Sequence, residues 1–523
     1  MGGTAKRTRL AGAAAVVALL AGACSGGGAT GDLATDSVES PAQEWAVEVE
    51  EEAFDEALPG LNPPNGEPYP DPYFRNPGVN PFIDTRDDVL STFAVDVDTA
   101  SYTVARRWVV DGNLPHRDSV RVEEFVNYFD QRYAPPVEGA FAIHSDGAPT
   151  PFVQNDRYQL MRIGLQSAAP FAGERKDAAL TFVIDVSGSM DMENRLGLVR
   201  QSLRLLIDEL GARDTVAIVV YGSTARLVLP PTSIAERETV IAAVESLRPE
   251  GSTNAEAGLH MGYELAYEAF RPGGINRVIL ASDGVANTGV TGADGILSQI
   301  REHADAGIQM VSLGFGMGNF NDVLLEQLAN DGDGFYAYID DLREAERLFV
   351  NDLTATLQTV ALDAKAQVEF NGETVESYRL VGFENRAVDD ERFRDDTVDA
   401  GQIGAGHSST ALYEVALRPE AVDDRLATVR LRWTDPDTRE SVEIAHDVRR
   451  GDFASSFDAA APQLQLSAVV AAYAEVLRES PWALGYGLSD VAARAAALPP
   501  GLLEDPRARE FIELVGAAAR LSG

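Results

Sequence analysis

Hydrophobic and polar positions alternate most regularly in the middle of this chain, from residue 177 to about 350. The apolar runs TFVIDV, TVAIVVYG, RVILASDG and IQMVSLGFG are short and β-branched, as in strands buried on both faces of a parallel sheet. Segments with helical spacing separate them: NRLGLVRQSLRLLIDELG, ERETVIAAVESL, AEAGLHMGYELAYEAF, ADGILSQIREHADAG and NDVLLEQLAND. The alternation predicts an α/β domain at 173–358 with a doubly wound, mostly parallel, Rossmann-like sheet. ARLVLPP at 225–231 is predicted to be its antiparallel edge strand.

Two smaller regions flank this domain. At 88–172, LSTFAVDVD and YQLMRIGLQ alternate like strands, whereas SYTVARRWVVDG and VEEFVNYF have helical spacing, which predicts a small α+β amino-terminal region. At 359–523, AKAQVEF, ALYEVAL, ATVRLRW and SVEIAHDV predict a small antiparallel unit. Three helical segments follow it, so we expect a β-rich and helical carboxy-terminal domain.

The first 24 residues have the layout of a secretory signal. Lys6, Arg7 and Arg9 precede a short apolar run, Leu10 to Leu20, and Cys24 follows three small residues. This end resembles the bacterial lipobox, in which the cysteine thiol is acylated and anchors the mature protein to a membrane. The alternative is an ordinary cleaved signal with an incidental cysteine. Residues 25–87, first acidic and then proline-rich, are predicted to be a disordered tether.

Composition narrows the classes of partner. The 523 residues carry 43 Lys+Arg against 82 Asp+Glu, a net charge of −39 at pH 7. Nucleic-acid binding needs a basic stripe, and none occurs, so we expect no nucleic-acid partner. Cys24 is the only cysteine, which excludes disulfides within the chain. Strong acidity raises the local concentration of cations and therefore suits a metal-dependent site.

Three polar clusters lie next to predicted strands or helices of the α/β domain. Asp185-Val186-Ser187-Gly188-Ser189 and Ser282-Asp283-Gly284 come directly after strands, and Gly251-Ser252-Thr253-Asn254 precedes a helix. In open α/β sheets, ligands bind at the carboxyl ends of the strands. Hydroxyl and carboxylate oxygens suit Mg²⁺, a hard ion with six oxygen ligands. Few direct carboxylates would leave the ion one coordination position for a carboxylate from outside.

This three-part set resembles the metal-ion-dependent adhesion site of von Willebrand factor type A domains. The matching positions are Asp185, Ser187, Ser189, Thr253 and Asp283. With STFAVDVDTASYTVARRWV, VRVEEFVNYF and the carboxy-terminal region, residues 88–523 are similar to bacterial A-domain lipoproteins of the YfbK type. The resemblance implies Mg²⁺ (or Mn²⁺ or Ca²⁺) at the site, a protein partner that supplies Asp or Glu, and a lipid-anchored, extracytoplasmic place in the bacterial cell envelope.

Two other acidic segments have a structural interpretation. Asp96-Val97-Asp98-Thr99-Ala100-Ser101 superficially resembles a metal loop, but it runs into a helix, and we expect Asp98 or Thr99 to cap that helix. Asp331-Gly332-Asp333-Gly334 is expected to be a turn, because the remaining spacing of a calcium loop is missing.

The main functional hypothesis is a membrane-anchored binding module without enzymatic activity, whose last helix, at 341–357, is the candidate to shift when the ion changes its contacts. One alternative is self-ligation, in which the acidic stretch Glu48 to Glu56 occupies the ion. The other is a metal-dependent hydrolase, for which Asp191 and Glu193 are the candidate bases.

Overall fold

The computed structural model describes residues 74–522, except 153–156, 170–174, 193–194, 285–299, 305, 318–319, 399 and 420–423. The predicted signal peptide with Cys24, residues 25–73 of the predicted tether and the start of the helix predicted at ADGILSQIREHADAG lie outside the described residues. Within the described part of the chain, no helix is both long and apolar enough to cross a bilayer.

Strands and helices alternate in the middle of the described chain, whereas strands follow one another without an α-helix from β3 to β5 and from β11 to β16. The strands are β1 (Ile83–Asp84), β2 (Leu90–Ala94), β3 (Phe141–Pro149), β4 (Tyr158–Ser167), β5 (Ala178–Asp185), β6 (Thr215–Tyr221), β7 (Ala225–Ser233), β8 (Ile275–Ser282), β9 (Gln309–Phe315), β10 (Phe335–Ile339), β11 (Thr359–Phe370), β12 (Val375–Val381), β13 (Gly401–Gly404), β14 (Ser408–Leu417), β15 (Arg425–Thr434) and β16 (Ser441–Arg449). The α-helices are α1 (Ala100–Val110), α2 (Val122–Asn127), α3 (Leu196–Glu209), α4 (Arg237–Glu245), α5 (Ala255–Glu268), α6 (Asp322–Asp331), α7 (Leu342–Glu346), α8 (Leu353–Leu357), α9 (Pro462–Leu477), α10 (Leu488–Ala496) and α11 (Pro506–Leu521).

The central sheet has the strand order β10-β9-β8-β5-β6-β7. Its neighbours are parallel except β6 and β7, which are antiparallel, so the edge strand predicted at 225–231 is confirmed. Every residue of β5 is buried, as its nearly continuous apolar run predicts. Phe182 of β5 belongs to the apolar core that includes Leu203 of α3, and Val183 to the core that includes Leu259 of α5. Helices therefore cover both faces, and the predicted doubly wound α/β fold is confirmed.

Two antiparallel sheets combine strands from both ends of the chain. One has the order β1-β12-β14-β4-β3, and in the other β11 pairs with β2, β13 and β15, and β15 pairs with β16. Phe93 of β2 and Ile163 of β4 share one apolar core with Val368 and Val429. Strands of the regions predicted at 88–172 and 359–523 therefore pair within the same sheets, and edges that would otherwise be unpaired are satisfied by partners far away in sequence.

The predicted tether also ends earlier than residue 87. Phe82 packs edge-on against Trp482, with ring centroids 5.1 Å apart. The Asn80 amide donates to the carbonyl oxygens of Leu380 (3.2 Å) and Gly382 (2.8 Å). Residues 74–87 thus belong to the folded body, because their aromatic and amide groups find partners on the carboxy-terminal strands and loops.

The carboxy-terminal helices pack together with the amino-terminal ones. Helix α9 is buried along most of its length and shares a core with Phe125 of α2 and Phe511 of α11. The three helices predicted after residue 460 are all present. Their packing on α1 and α2 is a further reason why the flanking parts of the chain form one body around the central sheet.

Candidate metal centre

Asp185 is the last residue of the central strand β5, and its side chain is fully buried. One carboxylate oxygen accepts a hydrogen bond from the Ser187 backbone N–H at 2.8 Å, and the other accepts from the Ser282 hydroxyl at 3.0 Å. Burial raises the pKa of Asp185, and these hydrogen bonds partly offset that effect. The carboxylate is therefore held in one orientation in a place where its charge is costly without a counter-ion.

The two serines of the first cluster offer a pair of hydroxyl oxygens. Ser187 ends the loop after β5, and Ser189 lies in the 3₁₀ turn Gly188–Asp191 that follows it. Their Oγ atoms are 2.9 Å apart. Adjacent oxygens around an octahedral Mg²⁺ are about 3.0 Å apart, since each lies at roughly 2.1 Å from the ion. The separation of the two hydroxyls fits one edge of such a coordination sphere.

Backbone hydrogen bonds bring the second loop against the first. The Gly188 N–H donates to the Gly251 carbonyl at 3.0 Å, and the Glu250 N–H donates to the Val186 carbonyl. The Asn254 N–H donates to the Gly222 carbonyl at 2.9 Å. Thr253 lies between these anchored positions, two residues before α5, on the loop that the Gly188–Gly251 hydrogen bond holds against the β5 loop.

The third cluster contains a buried cation that the sequence did not reveal. An Asp283 carboxylate oxygen accepts from the Arg195 guanidinium at 2.5 Å, and the same Arg195 nitrogen donates to the Ser189 carbonyl at 2.7 Å. Both side chains are nearly inaccessible, at 3% and 5%. Burial and the nearby Asp185 raise the pKa of Asp283 to about 7, although Arg195 opposes this shift. An arginine before the first turn of α3 gives no sequence signal of burial, because arginines there are usually solvated.

All three loop clusters therefore meet at one edge of the sheet, linked by Asp185 to Ser282, Gly188 to Gly251, and Ser189 through Arg195 to Asp283. The oxygens present suit a hard divalent cation: two hydroxyls, a threonine and two carboxylates. Ser187, Ser189 and Thr253 would hold such an ion, with Asp185 and Asp283 balancing its charge. Metal binding itself stays a prediction.

The structure also describes the residues of the predicted cap of α1, of the turn predicted at 331–334 and of the helix predicted at 341–357. Thr99, one of the two residues expected to cap α1, occupies its N-cap position but makes no side-chain capping bond. Asp98 does not cap the helix and accepts instead from the Tyr336 N–H at 3.0 Å. The turn predicted at 331–334 is present between α6 and β10. The helix predicted at 341–357 is broken into α7, a π-helical turn at Arg347–Asn351, and α8.

Of the two bases that a hydrolase would need, Asp191 is exposed, and Glu193 lies outside the described residues. The acidic stretch invoked for self-ligation, Glu48 to Glu56, also lies outside them.

Comparison with known families assigns most of the chain. The model of the von Willebrand factor type A (VWA) domain matches residues 179–351, and a model described as von Willebrand factor matches 69–162. The model of the C-terminal part of the uncharacterized protein YfbK matches 355–424 and 416–521. These matches meet close to the boundaries of the central sheet.

Individual relatives differ greatly in how much they share. The chain is 36% identical over 442 residues to the uncharacterized protein YfbK of Escherichia coli (strain K12), covering 78% of this chain and 76% of that protein. It is 27% identical over 200 residues to inter-alpha-trypsin inhibitor heavy chain H2 of Sus scrofa, covering 36% of this chain and 20% of that protein. Among solved structures, a von Willebrand factor type A protein from Catenulispora acidiphila matches 68% of this chain and 86% of its own, with a TM-score of 0.42 and 16% identity.

Proposed function

The chain belongs to the YfbK family, whose members are built around a VWA domain, and from that premise we propose that it binds an acidic group of a protein partner through a divalent metal. The family resemblance expected from the sequence is confirmed, and VWA domains are a family of protein-interaction modules. The metal, the acidic ligand and the membrane anchor are the parts that we add.

The observation that carries this proposal is the convergence of the three loops around the Ser187 and Ser189 hydroxyls. Their 2.9 Å separation suits adjacent ligands of one ion. The Asp283 carboxylate is already neutralised in part by Arg195, so the ion would stay electron-poor and attract an external carboxylate. Mg²⁺ is the expected ion, with Mn²⁺ or Ca²⁺ as substitutes. The chain's excess of acidic residues raises the local supply of such cations.

Binding of the ion is tested first, with Mg²⁺ as the only ligand. Isothermal titration of the EDTA-treated full chain should show saturable binding that the double substitution Asp185→Ala/Ser187→Ala abolishes. Asp130→Asn removes an exposed carboxylate elsewhere and is the matched control. Equal Mg²⁺ affinity in the wild type and the double variant would refute the metal centre.

Partner binding is tested by capture from detergent-solubilised envelope membranes with immobilised full-length protein. A genuine ligand is retained with Mg²⁺, released by EDTA and not retained by Asp185→Ala/Ser187→Ala. Proteins captured regardless of chelation would argue against a metal-bridged contact. A synthetic glutamate-rich peptide should compete with the ligand, whereas the corresponding glutamine peptide should not.

The place of the protein is part of the same proposal. We propose that Cys24 is lipidated and that the folded body lies on the outer side of a bacterial membrane. Replacing Cys24 by serine should move the protein from the membrane fraction to the soluble extracytoplasmic fraction. An unchanged distribution between these fractions would exclude the lipid anchor.

We further propose a binding role without catalysis. The Asp283 carboxylate is paired with Arg195, which makes it a poor general base. Asp191 is exposed to solvent. Release of product by the wild type but not by Asp185→Ala, in a screen of ester and phosphoester substrates, would favour the hydrolase instead.

A further inference from the structure

Outside the three loops of the candidate metal centre, three carboxylates from two parts of the amino-terminal segment meet inside the protein. Asp96 lies after β2, and Glu123 and Glu124 lie at the start of α2. One oxygen from each lies within 4.8 Å of the others, and the three residues are 4%, 1% and 0% exposed. A carboxylate that is buried to this degree normally has a cation or several donors beside it.

One carboxylate oxygen of the cluster, Oε1 of Glu123, accepts no hydrogen bond from the described residues. Glu124 accepts from the Ser101 backbone N–H at 2.8 Å and from the Arg121 guanidinium. Glu123 accepts from the Phe383 N–H at 2.9 Å through Oε2 only. Its Oε1 is buried without a hydrogen-bond partner among the described residues. A charged oxygen that is buried without a partner is unfavourable, so a ligand is expected there.

Positive charge around the cluster falls short of the negative charge. Arg386 pairs with Asp96 (3.2 Å) and Asp98 (3.1 Å). Both Arg386 and Arg121 also contact Glu326 of α6, at 3.2 Å and 3.8 Å. These two guanidiniums therefore serve five buried or nearly buried carboxylates: Asp96, Asp98, Glu124, Asp322 and Glu326. Glu123 is a sixth buried carboxylate, which pairs with neither of them among the described residues.

Charges of one sign at this density need compensation by protons or by a metal. Glu384 is the next carboxylate along and pairs with Arg478 at 3.0 Å, and Arg478 also pairs with Glu475 at 2.9 Å, so its single positive charge is shared between these two carboxylates. Glu123 and Glu124 are 1% and 0% exposed, so water cannot screen their charges.

We propose that Asp96, Glu123 and Glu124 form a structural site for a hard divalent cation, with Ca²⁺ preferred over Mg²⁺. Carboxylate oxygens are ligands of hard cations, and a doubly charged ion would offset most of the excess charge. Ca²⁺ accepts irregular ligand sets at 2.3–2.6 Å, whereas Mg²⁺ keeps several waters and avoids cages made only of protein. Because the three oxygens all lie within 4.8 Å of one another, a single Ca²⁺ ion with ligand distances of about 2.3–2.6 Å could contact all of them.

The position of this site explains what the ion would do. Asp96 precedes α1, Glu123 bonds the loop after β12, and the paired Arg386 reaches α6 of the VWA domain through Glu326. The cation would therefore fasten the amino-terminal helices, the carboxy-terminal strands and the VWA domain at one point. This role is independent of any ligand at the Ser187 site.

Calcium counting on the full chain tests the site. The starting protein is Asp185→Ala/Ser187→Ala, in which the other metal centre is silenced. After EDTA treatment and dialysis against CaCl₂, elemental analysis should find one tightly held Ca²⁺ per chain, and Ca²⁺ should raise the melting temperature. Adding Glu123→Gln should abolish both effects, whereas adding Asp130→Asn, which changes an exposed carboxylate near α2, should leave both intact.

Three other outcomes would overturn the proposed Ca²⁺ site. If the starting protein holds no Ca²⁺ after dialysis, the site does not exist. If Glu123→Gln raises the melting temperature in EDTA and the starting protein does not respond to Ca²⁺, a proton compensates the cluster instead. Should Glu123→Gln fail to fold, Asp96→Asn replaces it, and retention of Ca²⁺ by that variant would also overturn the proposal.

Discussion

Removing the Arg106 guanidinium should test how firmly the last segment of the VWA domain is held. Arg106 lies on α1, is 2% exposed, and binds Asp340 at 2.5 and 2.7 Å through two nitrogens. It also donates to the Tyr128 hydroxyl at 2.6 Å and to Glu344 at 3.3 Å. The network joins α1 to the loop after β10 and to α7, which is where the segment at 341–357 begins.

The expected cost follows from what Arg106→Met leaves behind. Asp340 would lose its counter-ion in a buried place, where breaking one side of a buried ion pair costs about 3–5 kcal/mol. Glu344 would be spared in part, since Arg347 still donates to it at 2.6 Å. Even with Arg106 present, burial raises the pKa of Asp340 to about 6, which shows how costly its charge is there.

Urea unfolding of the EDTA-treated full chain at pH 7.5, followed by circular dichroism, measures this cost. We expect the free energy of unfolding to fall by about 3–5 kcal/mol in Arg106→Met. The double variant Arg106→Met/Asp340→Asn removes both charges and should recover most of the loss. A loss below about 1 kcal/mol, typical of a solvent-exposed pair, would refute the reasoning. So would a double variant that is no more stable than the single one.

Three further outcomes can be checked. A Cβ on Gly222 would collide with the Glu250 carbonyl, so Gly222→Ala should displace the loop that carries Thr253. Calorimetry should then show Mg²⁺ binding weakened at least tenfold. The control Gly197→Ala, which has open space around its Cβ, should bind Mg²⁺ like the wild type. Burial raises the pKa of the Asp185 carboxyl, so its negative charge is unfavourable in the metal-free protein. Asp185→Asn removes this charge, and the metal-free variant should therefore melt no lower than the metal-free wild type in calorimetric scans. The stabilisation by Mg²⁺ should disappear in this variant, and retained stabilisation would contradict the prediction. Burial lowers the pKa of His407 to about 4, so the folded state binds its proton less tightly than the unfolded state, and stability should fall between pH 6.5 and 4 by up to about 3 kcal/mol from this group. His407→Gln should flatten that decline in urea titrations, and an identical pH profile would exclude the role.

Periodicity predicted most strands and helices, because local patterns report which face of an element is buried. It did not predict the partners of β2 and β4, since pairing depends on edges that meet only in the folded state. The strands β1, β3, β10, β12 and β13 were missed as well. The sequence FAIHSDGAP of β3 carries glycine, aspartate and proline, which are depleted in strands.

The candidate metal centre was accessible to sequence reasoning because its residues lie in short clusters after predicted strands. Arg195 was not accessible, because a single arginine carries no sign of the carboxylate that it will meet. The cluster of Asp96, Glu123 and Glu124 could not be predicted from sequence either. Asp96 lies 27 positions before the adjacent Glu123 and Glu124, and only packing of α2 against the loop after β2 brings the three together. Sequence favoured a helix cap at Asp98, and the pairing of that carboxylate with Tyr336 and Arg386 outcompeted it.

Because β11 pairs with both β2 and β15, the order of events during synthesis on the ribosome is constrained. The nascent chain exposes β2 and the β14-facing edge of β4 long before β11 and β14 exist, and all strands of the central sheet emerge in between. These early edges must then remain unpaired, and open to aggregation, until the last third of the chain is made. A stop codon placed after the VWA domain would thus leave strand edges without their partners.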